Sequence, residues 1–216
     1  MNARVLVVGR SPSVLEATVE LLRGRGYRAD ATNQFVEVLT QYDVSTLDVL
    51  VFGGMVPPDT KEYLTEEIGK RNAGIAVVQG MVGIAGVIAA QVDALTRGGG
   101  DAVVEDRTIR LSLPADGRVA VEAFWMTSWT PPEPSSASAE VVAGDLEAGP
   151  HEIGLPRWVP DEASFVVVEA GGEVRVLTVG PMPKAVARMA PKSAADQRLP
   201  EVAKVSTHGQ DGTLLH

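Results

Sequence analysis

The residues best suited to chemistry in this chain stand in three short clusters, each directly after an apolar segment. They share either a glycine backbone or a hydrogen-bonding side chain: Gly9, Arg10, Ser11, Ser13, Gly53, Gly54, Gln79 and Gly80. Glycine lets a ligand approach the backbone closely, and Arg10 adds a planar cation. The N–H groups of a helix that begins after Ser11 and Pro12 would also attract an anion. The clusters therefore indicate a binding site for a nucleotide or another phosphate-like anion.

The groups that make and break bonds are absent from these clusters. None of their residues is a carboxylate or a histidine, and the chain has no cysteine, which excludes a thiol nucleophile, a disulfide framework and a cysteine metal site. The histidines, His151, His208 and His216, are far apart in sequence. We therefore expect no catalytic residue, no metal site and no bound cofactor, and an enzyme is the less favoured interpretation.

Composition limits the partners and the compartment. A net charge of −9 argues against binding to nucleic acid, which needs a basic face. The longest apolar stretch, Ile75–Leu95, is interrupted by glycine, Gln79, Gln91 and Asp93, so we expect no membrane span. The N-terminus does not have the pattern of a signal peptide. Together with the absence of cysteine, this favours the cytoplasm.

The first part of the chain alternates apolar strands with amphipathic helices. This alternation predicts a flavodoxin-like or Rossmann-like parallel α/β sheet over residues 1–98, with ligands at the carboxyl ends of its strands. Either Ser11 or Ser13 should cap the first helix, and either Asp59 or Thr60 the third. The predicted strands are Arg4–Gly9, Arg28–Thr32, Leu47–Phe52 and Ile75–Val78, and the predicted helices are Ser13–Arg25, Phe35–Tyr42, Lys61–Arg71 and Gly86–Thr96.

After a glycine run near residues 97–104 the period of the apolar residues changes to two. Residues 104–181 therefore predict a small antiparallel β-sandwich. Thr130–Ser138 is a proline- and serine-rich loop, and Gly171-Gly172 indicates a hairpin. Residues 182–216 have little apolar periodicity and predict a flexible tail. The predicted strands are Thr108–Leu113, Arg118–Met126, Ala139–Ala143, His151–Leu155, Ser164–Ala170 and Glu173–Val179.

All the tryptophans, Trp125, Trp129 and Trp158, lie in this second part. Phe124 and Trp125 are neighbours in a strand, so their side chains point to opposite faces. An exposed tryptophan here would suit a protein interface, which makes the three tryptophans candidate interface residues. The alternative is that both aromatic side chains pack, one in the sandwich core and one against the first domain. A carbohydrate platform is a less favoured interpretation.

Val5–Thr32 (VLVVGRSPSVLEATVELLRGRGYRADAT) resembles the start of a response-regulator receiver domain, and the likeness continues at Asp48–Pro57 (DVLVFGGMVP). It covers roughly residues 4–95. In that family an acidic pair holds Mg²⁺ and an aspartate accepts a phosphoryl group. Here these positions are Gly9 with Arg10 and Gly53, while Gln79 replaces a switch threonine or serine. The resemblance implies a pseudo-receiver that cannot be phosphorylated in the usual way and acts by binding.

Gly24–Thr32 and Leu47–Gly54 (LDVLVFGG) also resemble parts of short-chain dehydrogenases. Of that family's first glycine fingerprint, only Gly9 is present. The family's Tyr–Lys pair is absent, because Tyr27, Tyr42 and Tyr63 are followed at that spacing by Ala31, Thr46 and Glu67. This resemblance implies a Rossmann-like sheet without hydride-transfer chemistry.

Two functional hypotheses follow from these observations. The first is a non-catalytic regulatory or adaptor protein whose pseudo-receiver domain binds a protein partner or forms a homodimer. The second is a nucleotide- or anion-binding protein, or an enzyme subunit, that uses the glycine-rich clusters. If the glycines serve only tight turns, those clusters are the remains of a lost site, which favours the first hypothesis.

Overall fold

The computed structural model describes residues 3–81, 83–128 and 133–181. The described chain forms two compact units: residues 3–85 with Glu133, and residues 86–128 with 134–181. The first contains a parallel sheet with helices, and the second contains two antiparallel sheets. The combination of a parallel α/β sheet with antiparallel sheets is therefore confirmed. The expected tail, 182–216, lies outside the described residues.

The sheet of the first unit has four parallel strands in the order β2-β1-β3-β4. Its helices follow the strands along the chain, and 3₁₀ turns at Phe35–Glu37 and Val44–Thr46 flank the short second helix. The elements are β1 (Arg4–Val8), α1 (Pro12–Gly24), β2 (Arg28–Thr32), α2 (Val38–Gln41), β3 (Val49–Phe52), α3 (Pro58–Arg71) and β4 (Ala76–Gln79).

The central strands are apolar on both faces because both faces are covered. Leu6, Val8, Leu50 and Phe52 pack in one buried cluster with Leu64 and Ile68 of α3. Val5, Val7, Val49 and Val51 on the opposite side are also buried. Burial on both faces is typical of a parallel sheet in an α/β arrangement.

Two predictions about helices in this unit were wrong in detail. The second predicted helix is a 3₁₀ turn followed by only the four residues of α2. The third begins at Pro58, with Pro57 at its N-cap and no side-chain cap. Asp59 does not cap it, because Pro58 already fits the first turn and the Asp59 carboxylate instead accepts from the Thr60 N–H at 2.8 Å.

A fourth helix, α4 (Ala85–Arg97), follows β4. From Gly86 onward it belongs to the second compact unit, whereas the sequence placed it at the end of the first. Gly86 lies directly against the Phe124 ring: a Cβ at this position would be 2.3 Å from Cε1 of Phe124. Close packing of the helix against the Phe124 ring explains the glycine at this position.

Besides α4, the second unit contains two antiparallel sheets, with the strand orders β11-β10-β7-β8 and β5-β6-β9. Their strands are β5 (Val103–Glu105), β6 (Thr108–Leu113), β7 (Gly117–Ser128), β8 (Ser135–Leu146), β9 (Gly149–Gly154), β10 (Ser164–Ala170) and β11 (Glu173–Val179). Gly171 and Gly172 join the last two strands with φ angles of 59° and 85°, as expected for a tight hairpin.

One buried cluster is shared by both antiparallel sheets. It contains Ile109 and Leu111 of β6 together with Val121 of β7 and Val166 of β10. The predicted loop Thr130–Ser138 was too long, because Ser135–Ser138 already pair with the end of β7 as part of β8. Serine is not a strong strand former, and the partner strand decides its conformation here.

Within the residues that the structure describes, none of the helices has the length and apolar character needed to cross a membrane.

Candidate functional site at the strand ends

The parallel sheet brings the three predicted clusters to one edge. The N–H of Gly53 donates to the carbonyl of Val8 at 2.8 Å, and the N–H of Gly80 donates to the carbonyl of Phe52 at 2.8 Å. The N–H of Gly9 likewise donates to the carbonyl of Thr32 at 3.1 Å. In each of these strands, the backbone hydrogen bonding to a neighbouring strand thus extends one residue past the strand's end, to a glycine. The clusters lie side by side because parallel strands end at the same edge of a sheet.

The glycines at this edge are explained mainly by close packing. A Cβ on Gly53 would lie 3.3 Å from Cα of Gly9, and one on Gly9 would lie 3.0 Å from Cδ2 of Leu15. Gly54 has no atom within 4 Å of such a Cβ. None of these three has a φ angle in the left-handed range, so a tight turn does not require glycine at these positions.

Ser11 and Ser13 stand at the N-terminus of α1. Ser11 is the N-cap, one of the two candidates that the sequence gave, and its Oγ accepts from the Val14 N–H at 3.4 Å. Pro12 occupies the first turn, where its missing N–H costs nothing. Ser11 is buried, whereas Ser13 is exposed.

The carboxylate of Glu133 occupies the position where an anion would bind this helix. Its Oε2 accepts a hydrogen bond from Oγ of Ser11 at 2.7 Å and from the backbone N–H of Ser13 at 3.3 Å. Oγ of Ser13 donates to the same oxygen. A negative charge at a helix N-terminus is favourable because the free N–H groups there carry partial positive charge. The chain therefore supplies its own anion to this end of α1.

Sequence reasoning missed Glu133. It lies 122 positions after Ser11, in the proline- and serine-rich segment between β7 and β8. The only signal available was an acidic residue within a segment otherwise rich in proline and serine, and nothing in that pattern indicates a helix terminus. Pairing over such a separation is decided by the fold and not by local sequence.

Arg10 is partly buried, and its Nε is buried without a hydrogen-bond partner in the described part of the chain. Burial in turn lowers the pKa of the guanidinium. An unsatisfied buried donor costs free energy, so native proteins keep few of them. Among the described residues, Arg10 therefore has a buried side-chain donor that is still available to an acceptor atom.

Gln79 and the residues after β2 complete the edge. The Gln79 side chain is exposed, and its Nε2 donates to the carbonyls of Phe52 at 3.3 Å and Gly80 at 3.4 Å. The buried pair Thr32 and Asn33 lies at the end of β2; it was not predicted as part of the site. Two polar residues, Asn33-Gln34, directly after a predicted strand were the signal that could have identified it.

The candidate interface residues lie in the second unit. Trp125 is partly buried against the shared core, and the Trp158 side chain is 48% exposed. Their ring centroids are 5.8 Å apart with the planes inclined at 50°. Phe124, on the opposite face of β7, is buried beside Gly86 of α4. The third tryptophan, Trp129, lies outside the described residues.

Chemically, the strand-end edge offers hydroxyl, amide and guanidinium donors. No group of three acidic, histidine or cysteine side chains that could hold a metal ion occurs among the residues described. In comparisons with known proteins, no family model, no curated protein and no solved structure matches this chain.

Proposed function

We propose that this protein is a non-catalytic regulatory or adaptor protein that acts by binding another protein chain or a second copy of itself. In this proposal the first unit is a flavodoxin-like, pseudo-receiver domain, and the second is a β-sandwich that supplies another binding surface. The strand order β2-β1-β3-β4 supports the first part, because it equals the first four positions of the flavodoxin-like order.

The observation that carries the proposal is the Glu133 carboxylate at the N-terminus of α1. It already accepts from the hydroxyls of Ser11 and Ser13 and from the Ser13 N–H. A phosphate group placed there would lose these donors and would meet a like charge. The N-terminus of α1 is thus already occupied by a carboxylate of the chain itself. This occupation favours a structural role for the region over binding and turnover of a ligand.

The strand ends also lack the groups that phosphoryl transfer needs. Magnesium prefers carboxylate oxygens, and a phosphoryl acceptor must be a nucleophile. The positions that match the receiver pattern are Gly9, Arg10 and Gly53. A glycine at the end of β3 offers no side chain to phosphorylate, so the output of this domain would be binding, without a cofactor, in the cytoplasm.

The second candidate function is binding of a nucleotide or phosphate-like anion at the same edge. The unpartnered Nε of Arg10 favours it, since that donor awaits an acceptor. In this case the ligand would have to displace Glu133, so a neutral side chain at position 133 should strengthen binding.

A thermal-shift screen with NAD(P), flavins, ATP, cyclic nucleotides and phosphate, each with Mg²⁺, separates the two functions. A ligand that binds the native state raises Tm by mass action. For an adaptor we expect no shift with the wild type, with Arg10→Ala or with Glu133→Gln. A shift that Arg10→Ala abolishes and Glu133→Gln enlarges would overturn the adaptor proposal and establish the anion site.

A further inference from the structure

The parallel sheet of the first unit has β2 at one edge and β4 at the other. An edge strand presents backbone N–H and C=O groups on its outer side, and native proteins usually protect these groups from pairing with another chain. The two edges of this sheet differ in how far they are protected.

The outer edge of β2 is closed by side chains. Alternate residues of β2 bond to β1, so the carbonyls of Ala29 and Ala31 point outward. Nε of Arg23 donates to the carbonyl of Ala29 at 2.8 Å, and the hydroxyl of Tyr42 donates to that of Ala31 at 3.3 Å. The strand also carries a charged residue, Asp30, which pairs with Arg23 at 3.0 Å. A further strand could not pair with β2 without displacing these contacts.

The outer edge of β4 has no such closure within the described part of the chain. The N–H of Ala76 donates to the carbonyl of Asp48 at 3.0 Å, and the N–H of Gly80 donates to that of Phe52 at 2.8 Å. Because successive residues of a strand direct their backbone groups to alternate sides, the N–H and C=O of Val77 point away from β3. Among the residues described, no strand lies on that side of β4 and nothing hydrogen-bonds to these two groups of Val77.

The side chains at this edge are apolar and incompletely covered. Val77 is paired in register with Leu50, which packs in a buried cluster with Leu64 and Ile68 of α3. Val77 itself is 43% exposed, and Met81, just after the strand, is also exposed. The helix thus covers β3 but leaves β4 open, whereas parallel sheets are normally covered on both faces. This edge therefore has both the backbone groups and the apolar surface that a further strand would bury.

The charge of the chain points to a second copy as the occupant. The sequence has no charged residue from Asn72 to Val92, although the whole chain has a net charge of −9. Two copies repel each other overall, but at this edge they can meet without contacts between like charges. Charged side chains, lysine above all, are a usual means of preventing edge-to-edge pairing, and β4 contains none.

We propose that β4 pairs antiparallel with β4 of a second copy, so that the two parallel sheets join into one sheet across a two-fold axis at Val77. The N–H of each Val77 then donates to the carbonyl of the other, which satisfies the outward groups of both copies at once. Ile75 of one copy lies opposite Gln79 of the other, so every cross-strand pair is neutral. A strand of an unrelated protein would need an open edge of its own, whereas a second copy brings the same open edge.

This inference rests on the proposed function, binding of another chain or of a second copy, and commits it to the second copy. The two fail in different measurements. Ligand binding that depends on Arg10 would overturn the adaptor function whatever the oligomeric state. A monomeric chain without such ligand binding would remove only the homodimer.

Sedimentation velocity of the full chain tests the proposal at concentrations up to about 1 mM, which covers weak association. We expect a concentration-dependent equilibrium between monomer and dimer, because one short strand pair is a small interface. Val77→Lys should weaken dimerisation about tenfold or more, since it places like charges directly opposite each other. The matched control is Val36→Lys, the same change at a valine that is 82% exposed in the 3₁₀ turn before α2, and it should dimerise like the wild type.

A pair of oppositely charged variants tests the position of the two-fold axis. Val77→Glu alone should be weakened as strongly as Val77→Lys. An equimolar mixture of the two variants should dimerise again, because opposite charges then face each other across the strand pair. Circular dichroism checks that each variant is folded.

Cross-linking gives a second measurement that does not depend on a charge at the interface. The chain has no cysteine, so Val77→Cys introduces a single thiol. The Cα atoms of a hydrogen-bonded antiparallel pair lie about 5.5 Å apart. A short bismaleimide should therefore link two copies through position 77, and it should not link copies of Val36→Cys.

A folded wild type that stays monomeric at about 1 mM would overturn the proposal, as would dimerisation that Val77→Lys leaves unchanged. If the mixture of the lysine and glutamate variants stays monomeric, the two Val77 residues do not face each other and the proposed pairing is wrong. Saturable binding of an extended apolar peptide by a chain that remains monomeric would assign the edge to a strand of another protein instead.

Discussion

The Oγ of Ser11 donates to Oε2 of Glu133 over 2.7 Å, although 122 positions separate the two residues. The same oxygen accepts from the N–H of Ser13 at 3.3 Å. One carboxylate oxygen therefore makes the contacts that a bound anion would make at the N-terminus of α1.

Glu133→Gln should lower the free energy of unfolding by about 0.5–1 kcal/mol, because it removes a negative charge from a helix N-terminus. Urea denaturation measures the change. The matched control is Glu147→Gln, which removes an exposed carboxylate for which the described structure shows no side-chain partner. Equal stability of the two variants would mean that the Glu133 contact contributes nothing to the fold.

Gly53→Ala should destabilise the protein by about 1 kcal/mol, as expected for overpacking of backbone against backbone. The reason is that its Cβ would lie 3.3 Å from Cα of Gly9. Gly54→Ala is the control one residue later, where nothing lies within 4 Å. The free energy of unfolding of that variant should be unchanged or higher by up to about 1 kcal/mol, because alanine restricts the conformations of the unfolded chain. If Gly53→Ala proves as stable as Gly54→Ala, close packing does not explain the glycine at the end of β3.

Gly86→Ala should destabilise the protein by about 1–3 kcal/mol, because the new methyl group would overlap the buried Phe124 ring. The overlap is severe, with a Cβ 2.3 Å from Cε1 of Phe124. Gly69→Ala in α3 has open space around it and should instead stabilise a helix interior, by about 0.5–1 kcal/mol. Thermal and urea unfolding of both variants test the sign of each change in stability. If Gly86→Ala proves stabilising, α4 does not pack on β7 as described.

Lys61→Met should raise stability at neutral pH, and the gain should shrink as the pH rises. Burial lowers the pKa of Lys61 below its ordinary value of 10.5. Below the folded-state pKa the buried charge therefore destabilises the native state. This penalty disappears as the pH rises through the folded pKa toward 10.5, where both states lose the proton. Urea denaturation of both proteins from pH 7 to alkaline pH measures the difference.

Lys70→Met is the control of opposite sign for this experiment. The carboxylates of Glu67 and Glu66 raise the pKa of Lys70, so its charge favours the native state. At neutral pH its removal should slightly lower stability, since exposed ion pairs contribute little. A gain for both lysine variants would indicate a general effect of removing positive charge, and the explanation by burial would fail.

Elements with strong local signals were predicted well. The strands β2, β10 and β11 have the predicted bounds, because apolar residues alternate or run continuously between clear turn residues. Ser11 was one of two predicted caps for α1, and Pro12 marks the first turn. The second helix was predicted poorly. Its apolar spacing indicates a helix over Phe35–Tyr42, but only Val38–Gln41 form one.

The position of the candidate-site residues in the fold was predicted in part. Strand-end geometry brings Gly9, Gly53 and Gly80 together, since parallel strands end at one edge. The sequence did not indicate why glycine is needed there, because the close approach of Gly53 to Gly9 joins two different strands. The candidate interface also gained detail: Trp125 and Trp158 contact each other, although they lie in different elements.

The sequence by itself determined the order of the strands and helices except for β5, which was not predicted. It also determined that the chain has no cysteine and that the strand-end clusters contain no carboxylate. These features depend on residue type and on spacing within one element. Only the tertiary structure placed Glu133 on α1, Gly86 on Phe124 and the Arg107 guanidinium on the carbonyls of Pro156 and Val159. Each of these contacts joins residues far apart in the chain. Their pairing is set by packing of whole elements, which no local pattern encodes.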